Sequence, residues 1–243
     1  MDLYPYLLHL GDNALVLGHR NSEWCGHGPV LEQDIALTNI ALDLIGQARL
    51  FYQYAATLDG SSEDAIAYGR DAFDFRNCLL VEQPNGDWAC TILRQFLFSA
   101  YQYELYERLQ LSRDQQVAAI AAKALKEVAY HLRWSGEWVV RLGDGTEESR
   151  TRLLRAFDEL WMFTGELFKA APYEKALSVA VLPEDLEVPW AQRLSAVFAQ
   201  AGIEMPIGPA FQTGGKTGVH TEHLGYLLAE MQFLQRAYPG SSW

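Results

Sequence analysis

An all-α fold is what this sequence predicts, on three observations. No stretch alternates with the period that a half-buried strand requires, apolar residues recur instead at helical spacing in long segments, and Gly, Pro and Asn punctuate the ends of those segments. The expected helices run from about Leu3 to Glu23, Pro29 to Leu58, Trp88 to Leu109, Arg113 to Leu142, Glu147 to Ala170, Pro189 to Ala201 and Gly218 to Ala237. With 243 residues, 49% of them hydrophobic, the chain has the material for one compact domain.

Each boundary has a chemical reason. Gly28 followed by Pro29 reads as a proline in the first turn of the second helix, where its missing N–H is no loss. Pro84-Asn85-Gly86-Asp87 is a turn ahead of the third helix, and the stretch from Ser112 to Gln115 reads as a capping box for the fourth. Gly143, Asp144, Gly145 and Thr146 stop that helix and cap the next, whose first turn carries Glu147 and Glu148 against the helix dipole. So short a turn makes the two long helices antiparallel. The stretch from Pro172 to Pro209 holds five of the nine prolines and reads as an irregular crossing segment.

Helical projection then orders the faces. Between Pro29 and Leu58, Leu31, Ile35, Leu37, Ile40, Leu42, Leu44, Ile45, Phe51 and Tyr52 spread around about 220° of the circumference, which predicts a helix packed on several sides. Its polar strip of Glu32, Asn39, Asp43 and Gln47 is either a solvated edge or the inner polar seam of a bundle. Between Arg113 and Leu142, Glu127, His131, Trp134 and Trp138 share one flank, suited to a second helix layer or to an interface between subunits.

Charge and cysteine content exclude several classes. A net charge of −12 with no dense run among the 19 Lys and Arg argues against nucleic acid as a partner. Cys25, Cys78 and Cys90 are odd in number and lack C-x-x-C spacing, so neither a disulfide framework nor a thiolate metal site is expected. No leader pattern and no run of roughly 18 apolar residues is present, which predicts a cytoplasmic chain away from the membrane.

Long antiparallel helices with inward acids invite a di-iron carboxylate site in a ferritin-like four-helix bundle with additional flanking helices. That site needs one Glu from each of two helices and a Glu-x-x-His pair from each of the others, because i and i+3 aim both ligands at one ion. The residues three before His9, His19, His27, His131, His220 and His223 are Tyr6, Val16, Trp24, Val128, Thr217 and His220, so the pair never occurs. Glu127 and His131, at i and i+4, are the nearest approach, and a hydrogen-bonded Glu and His at a helix contact is the plainer alternative. Asp43, Glu104, Glu159 and Glu166 are further acids at helix centres. No catalytic residue, no cofactor-binding residue and no complete metal site is therefore assigned.

Two other motifs fall short of the chemistry they suggest. Gly214-Gly215-Lys216-Thr217 resembles the end of a phosphate-binding loop, yet Ala210 stands where that loop needs glycine and no strand precedes it. His220 and His223 bracket Glu222 without the H-E-x-x-H order of a zinc protease, which leaves hydrogen-bonded structural histidines.

Five runs carry a resemblance to a known family. LGDNALVLGHR from Leu10, EWCGH from Glu23, LDLIGQAR from Leu42, VEQPNG from Val81 and TGGKTGVHTEHL from Thr213 are similar to the PaaC family, the ferritin-like structural subunits of phenylacetyl-CoA epoxidase. The resemblance covers most of the chain and thins between about Pro172 and Pro206. It implies a non-catalytic subunit that pairs with and stabilises a homologous di-iron catalytic subunit, alongside small accessory subunits and a reductase. In that family the complex uses O₂ to epoxidise the ring of phenylacetyl-CoA, with electrons delivered from NADPH by the reductase, which carries FAD and an iron–sulfur cluster. No cofactor is implied in this subunit, which is expected in a hetero-oligomer, with self-association as the option when it is alone. Glu127 and His131 are the candidates for a relic of the ancestral metal position. The alternative is an iron-dependent oxygenase in its own right with an unorthodox ligand set.

Overall fold

A computed structural model describes residues 3–206, 208 and 210–241, and the described residues contain helices and no strand. Helix α1 (Tyr4–Ser22), with a proline in its first turn, is buried without a break from Tyr6 to Gly18. Helix α2 (Leu31–Asp59) lies along it, closed by Gly60 in the left-handed conformation. Gly11 permits that approach, because a Cβ there would stand 2.5 Å from the Tyr52 ring. Helices α5 (Trp88–Leu109) and α6 (Gln115–Gly143) form the second long pair, and α2 meets α6 to close a ferritin-like bundle. One connected apolar core extends from Tyr6 to Leu228.

The remaining elements wrap this bundle. Short α3 (Glu63–Gly69) and α4 (Leu79–Glu82) occupy the connection between α2 and α5, where a single helical turn or two carries no readable period. Helix α7 (Glu147–Leu160) packs against α5 and α6, followed by a tight 3-10 stretch at Trp161–Phe168. Then come α8 (Pro172–Ala176), α9 (Glu187–Gln200) on the outside of α5 and α6, α10 (Glu222–Met231) and α11 (Phe233–Ala237).

Several expected boundaries are corrected. Pro29 lies ahead of α2, whose cap is Val30, while Asp34 accepts from the Gly28 N–H at 2.9 Å and anchors the chain there. The cap of α6 is Asp114, accepting from the Gln116 and Val117 N–H groups, because Ser112 turns its hydroxyl to the Val179 carbonyl. The expected helix to Ala170 ends at Leu160, where the tighter winding brings Trp161 and Phe168 together onto Trp190 at 5.9 and 4.9 Å. Gly218, with φ of 86°, ends a turn instead of opening a helix, so α10 begins at Glu222. Thr146 caps α7 as expected, exchanging bonds with Ser149.

Helices α1 and α5 are buried along most of their length, and α2 is packed less completely than its sequence suggests. Leu31, Ile35 and Leu42 are 72, 52 and 61% exposed, because α1, α3 and α6 pack on other sides of the helix. Inside, the carboxylate of Asp12 is fully buried and accepts from Arg70, from the Tyr52 hydroxyl and from the Arg76 N–H at 2.7 Å. Arg70 lies over the Phe75 ring at 4.2 Å, so Asp12 is shielded from water and its partner is nearly so.

Two outcomes follow from this interior. Asp12→Asn strands a nearly buried guanidinium, and unfolding in urea is expected to show a loss of about 3–5 kcal/mol; a loss under about 1 kcal/mol would contradict the assignment. Burial holds His9 and His19 below the ordinary histidine value, so the unfolded chain binds protons that the folded chain refuses. Stability is therefore fully present above about pH 6.5 and falls as pH drops below it, read as a declining melting temperature between pH 7 and 5.

Candidate functional site

The polar strip of α2 faces α6 as a ladder. At one end the Nε1–H groups of Trp134 and Trp138 both donate to Gln33 Oε1, at 3.1 and 2.8 Å. His131 Nε2 meets Asp43 Oδ2 at 3.1 Å, Gln47 Nε2–H donates to Glu127 Oε2 at 2.9 Å, and the Tyr54 hydroxyl donates to Asp114 Oδ2 at 2.8 Å. The strip is thus split: Asp43 and buried Gln47 belong to the seam, whereas Glu32 and Asn39 are exposed. Trp88 sits edge-on to Trp24, Trp134 and Trp138, with centroids 5.3, 6.0 and 5.5 Å away. The flank shared by Glu127, His131 and the two tryptophans is covered by α2 of the same chain.

Glu127 and His131 do not converge on a common point. Each reaches a different residue of α2, one helical turn apart, as two rungs of a helix contact. On α5 the amides and hydroxyl of Gln95, Ser99 and Gln102 are buried and joined to Asn21 and Tyr106. Iron bound by carboxylates needs anionic oxygen donors, which these amides and hydroxyl do not supply. Among the described residues no group of three or more His, Cys, Asp or Glu is placed to hold a metal ion.

The other acids singled out in the sequence point elsewhere. Glu104 takes Arg193 at 2.6 Å and Arg108 at 3.4 Å on the outside of α5, and Glu159 pairs with Arg155 on the surface of α7. Glu166 is buried and accepts from the Leu79 and Gly214 N–H groups, each at 2.7 Å, and from the Lys216 N–H at 3.3 Å. Lys216 is buried as well, its Nζ held by Glu174 at 3.2 Å and by the Lys169 carbonyl at 3.1 Å. Gly215 is required because a Cβ would stand 2.2 Å from the Asn77 carbonyl oxygen. The Gly-Gly-Lys-Thr stretch is a strap laid into the bundle, with its lysine engaged internally.

His220 belongs to the same strap. Its ring nitrogens face Glu82 Oε2 at 2.8 Å and the Phe75 carbonyl at 3.1 Å, so neither is free for a metal. Glu82, fully buried, also accepts from Thr221 N–H, the Thr221 hydroxyl and Asn77 Nδ2–H. Sequence reasoning missed Asp12, Glu82 and Glu174 as structural centres. Asp12 stands as an acid inside an apolar helical run, a signal that a single sequence shares with surface positions, and Glu82 and Glu174 lie in helices too short to carry a readable pattern.

Fold and interior together define a ferritin-like helical protein in which Glu127 and His131 pair with separate residues of α2, while His131 Nδ1 and Gln47 Oε1 are buried without a partner. The chain belongs to the phenylacetic acid catabolic protein family, whose profile matches residues 1–243. It is 52% identical over 245 residues to a protein of Escherichia coli (strain K12) named as one of the subunits of 1,2-phenylacetyl-CoA epoxidase, an alignment covering 99% of each chain. The runs that carried the resemblance contain Asp12, Asn13, Glu82, Lys216 and His220, and those residues build the internal network.

A substitution separates helix contact from metal relic. Glu127→Ala removes the partner of Gln47 Nε2, whose Oε1 is already unpaired, so a loss of about 1–3 kcal/mol in stability is expected. Iron bound per assembled complex is expected to stay the same in Glu127→Ala combined with His131→Gln, measured by metal analysis; a fall in iron would make the pair a metal ligand.

Proposed function

We propose that this chain is the structural, non-catalytic subunit of a multicomponent phenylacetyl-CoA oxygenase (epoxidase) of aerobic phenylacetate catabolism, working in the cytoplasm. In this reading it pairs with and stabilises a homologous di-iron subunit. Electrons reach that partner from NADPH through a reductase carrying FAD and an iron–sulfur cluster. The observation that carries the reading is end-to-end likeness, at 52% identity, to a protein named as a phenylacetyl-CoA epoxidase subunit. The pairing of Glu127 and His131 with separate residues of α2 supports the non-catalytic part.

The pairing surface assigned in this reading is the outer face of α2. Leu31, Ile35 and Leu42 stand at spacings of four and seven, which brings them to one side of the helix, and all are more than half exposed. Gly46, one turn on, has open space beside it and lets a facing helix come close. Apolar residues that remain outside on an otherwise buried hairpin are the usual core of a permanent interface between subunits.

Co-expression with the homologous subunit tests the reading. The two chains are expected to elute together on gel filtration. Ile35→Glu with Leu42→Glu is expected to weaken association at least a hundredfold, since a charge at the centre of an apolar interface removes hot-spot contacts. The variant chain alone should melt at the same temperature as the parent, because both positions are exposed in it. Separate elution of the unaltered chains would defeat the proposal.

A further inference from the structure

A groove of about 650 Å³ runs along the flank of α6 opposite the ladder, between α5, α6 and α9. Its floor is apolar, made by Phe96, Leu132, Gly136, Val140 and Val197, and Tyr103, Glu137 and Gln200 add polar groups to its walls. Gly136 opens the floor, because a Cβ there would stand 3.3 Å from Phe96 and 3.7 Å from Val197. Three guanidinium groups surround this apolar bed, Arg133 and Arg141 on α6 and Arg193 on α9, in a chain whose net charge is −12.

Each of these arginines is backed by an aromatic ring. Arg133 lies 5.7 Å from the Tyr130 centroid, Arg141 5.3 Å from that of Trp138, and Arg193 4.4 Å from that of Tyr103. Stacking restricts the side chains before any ligand arrives, which lowers the ordering penalty of binding. Arg193 is also held by buried Glu104, while Arg141 makes only a loose 3.7 Å contact with Glu137, both partners being more than half exposed. Arg133 and Arg141 are eight positions apart on α6, about 12 Å along its axis.

An apolar bed of this volume with a few fixed cations at its rim is the form of a small-ligand site. Guanidinium forks suit phosphate oxygens, and their spread along the groove fits an extended anion with more than one charged group. We propose that the groove binds an amphipathic nucleotide thioester of the acyl- or aryl-CoA class. The apolar group and pantetheine arm lie on Phe96, Leu132, Val140 and Val197, and the phosphates meet Arg133 and Arg141. The inference takes its ligand class from the function proposed above and deepens it, by giving this chain its own place to hold substrate or product outside the catalytic partner.

Titration calorimetry of the chain with phenylacetyl-CoA, CoA and phenylacetate tests it. Phenylacetyl-CoA is expected to bind one per chain, CoA at least several-fold more weakly, and phenylacetate with no measurable heat. Binding of phenylacetyl-CoA should weaken at least tenfold in Arg133→Glu with Arg141→Glu, and also as salt is raised. Arg133→Gln with Arg141→Gln gives the same readout without charge reversal if the first variant melts early. Absence of heat with phenylacetyl-CoA at millimolar concentration, or equal affinity in the variants, would overturn the assignment. So would loss of binding once the homologous subunit is added, which would make the groove a seat for that partner. Co-elution with the homologous subunit is read separately and does not depend on Arg133 or Arg141, so failure of this inference leaves the proposed structural role intact.

Discussion

A carboxylate without water must be met by hydrogen-bond donors on every free lone pair, and that requirement ties the irregular half of this chain to its bundle. Asp12 draws in Arg70, Tyr52 and the Arg76 backbone, fixing the connection after α2 against α1. Glu82 and Glu166 each take three or more donors from segments distant in sequence, so α4, the 3-10 stretch at Trp161–Phe168 and the strap around Lys216 set one another in place. Glu174 and Lys216 pair below the same strap. The apolar core supplies the driving force, and these acids select one arrangement of the loops over it.

The long helices were legible in the sequence because their period extends over many turns. Leu31 to Asp59 and Gln115 to Gly143 are found within a few residues of the expected bounds. The short elements α3, α4 and α8 were illegible, since their geometry is imposed by Ser62, by the buried acids and by proline instead of by repeating apolar positions. The cap of α6 was displaced for a similar reason, a tertiary bond from Ser112 to Val179 that no local pattern encodes. At the bundle centre the residue types were legible and their pairing was not. That Glu127 chooses Gln47 and His131 chooses Asp43 depends on how α2 registers against α6.

Family resemblance and internal structure explain each other. The runs from Leu10, Val81 and Thr213 that mark the family are rich in Gly, Asn, His and acids, a composition that suggests chemistry at first reading. In the folded chain these groups are donors and acceptors for one another, with Gly215 admitting the strap and Lys216 neutralised beneath it. In the structural role proposed for it, the chain acts through its surface. Its two distinctive surfaces lie on different helices: the apolar face of α2, and the arginine-rimmed groove of α6 and α9 on the opposite side of the ladder.

The proposal that this chain holds no iron of its own rests on Asp43, Glu82, Glu127 and Glu166 each being engaged by protein groups, with His131 Nδ1 and Gln47 Oε1 left without a partner. Metal analysis with absorption spectroscopy on the chain purified alone after growth in iron-rich medium tests this most directly. The account predicts iron well below one atom per chain and no oxo-bridge absorption. About two irons per chain with that absorption, the content of a di-iron carboxylate protein, would contradict it.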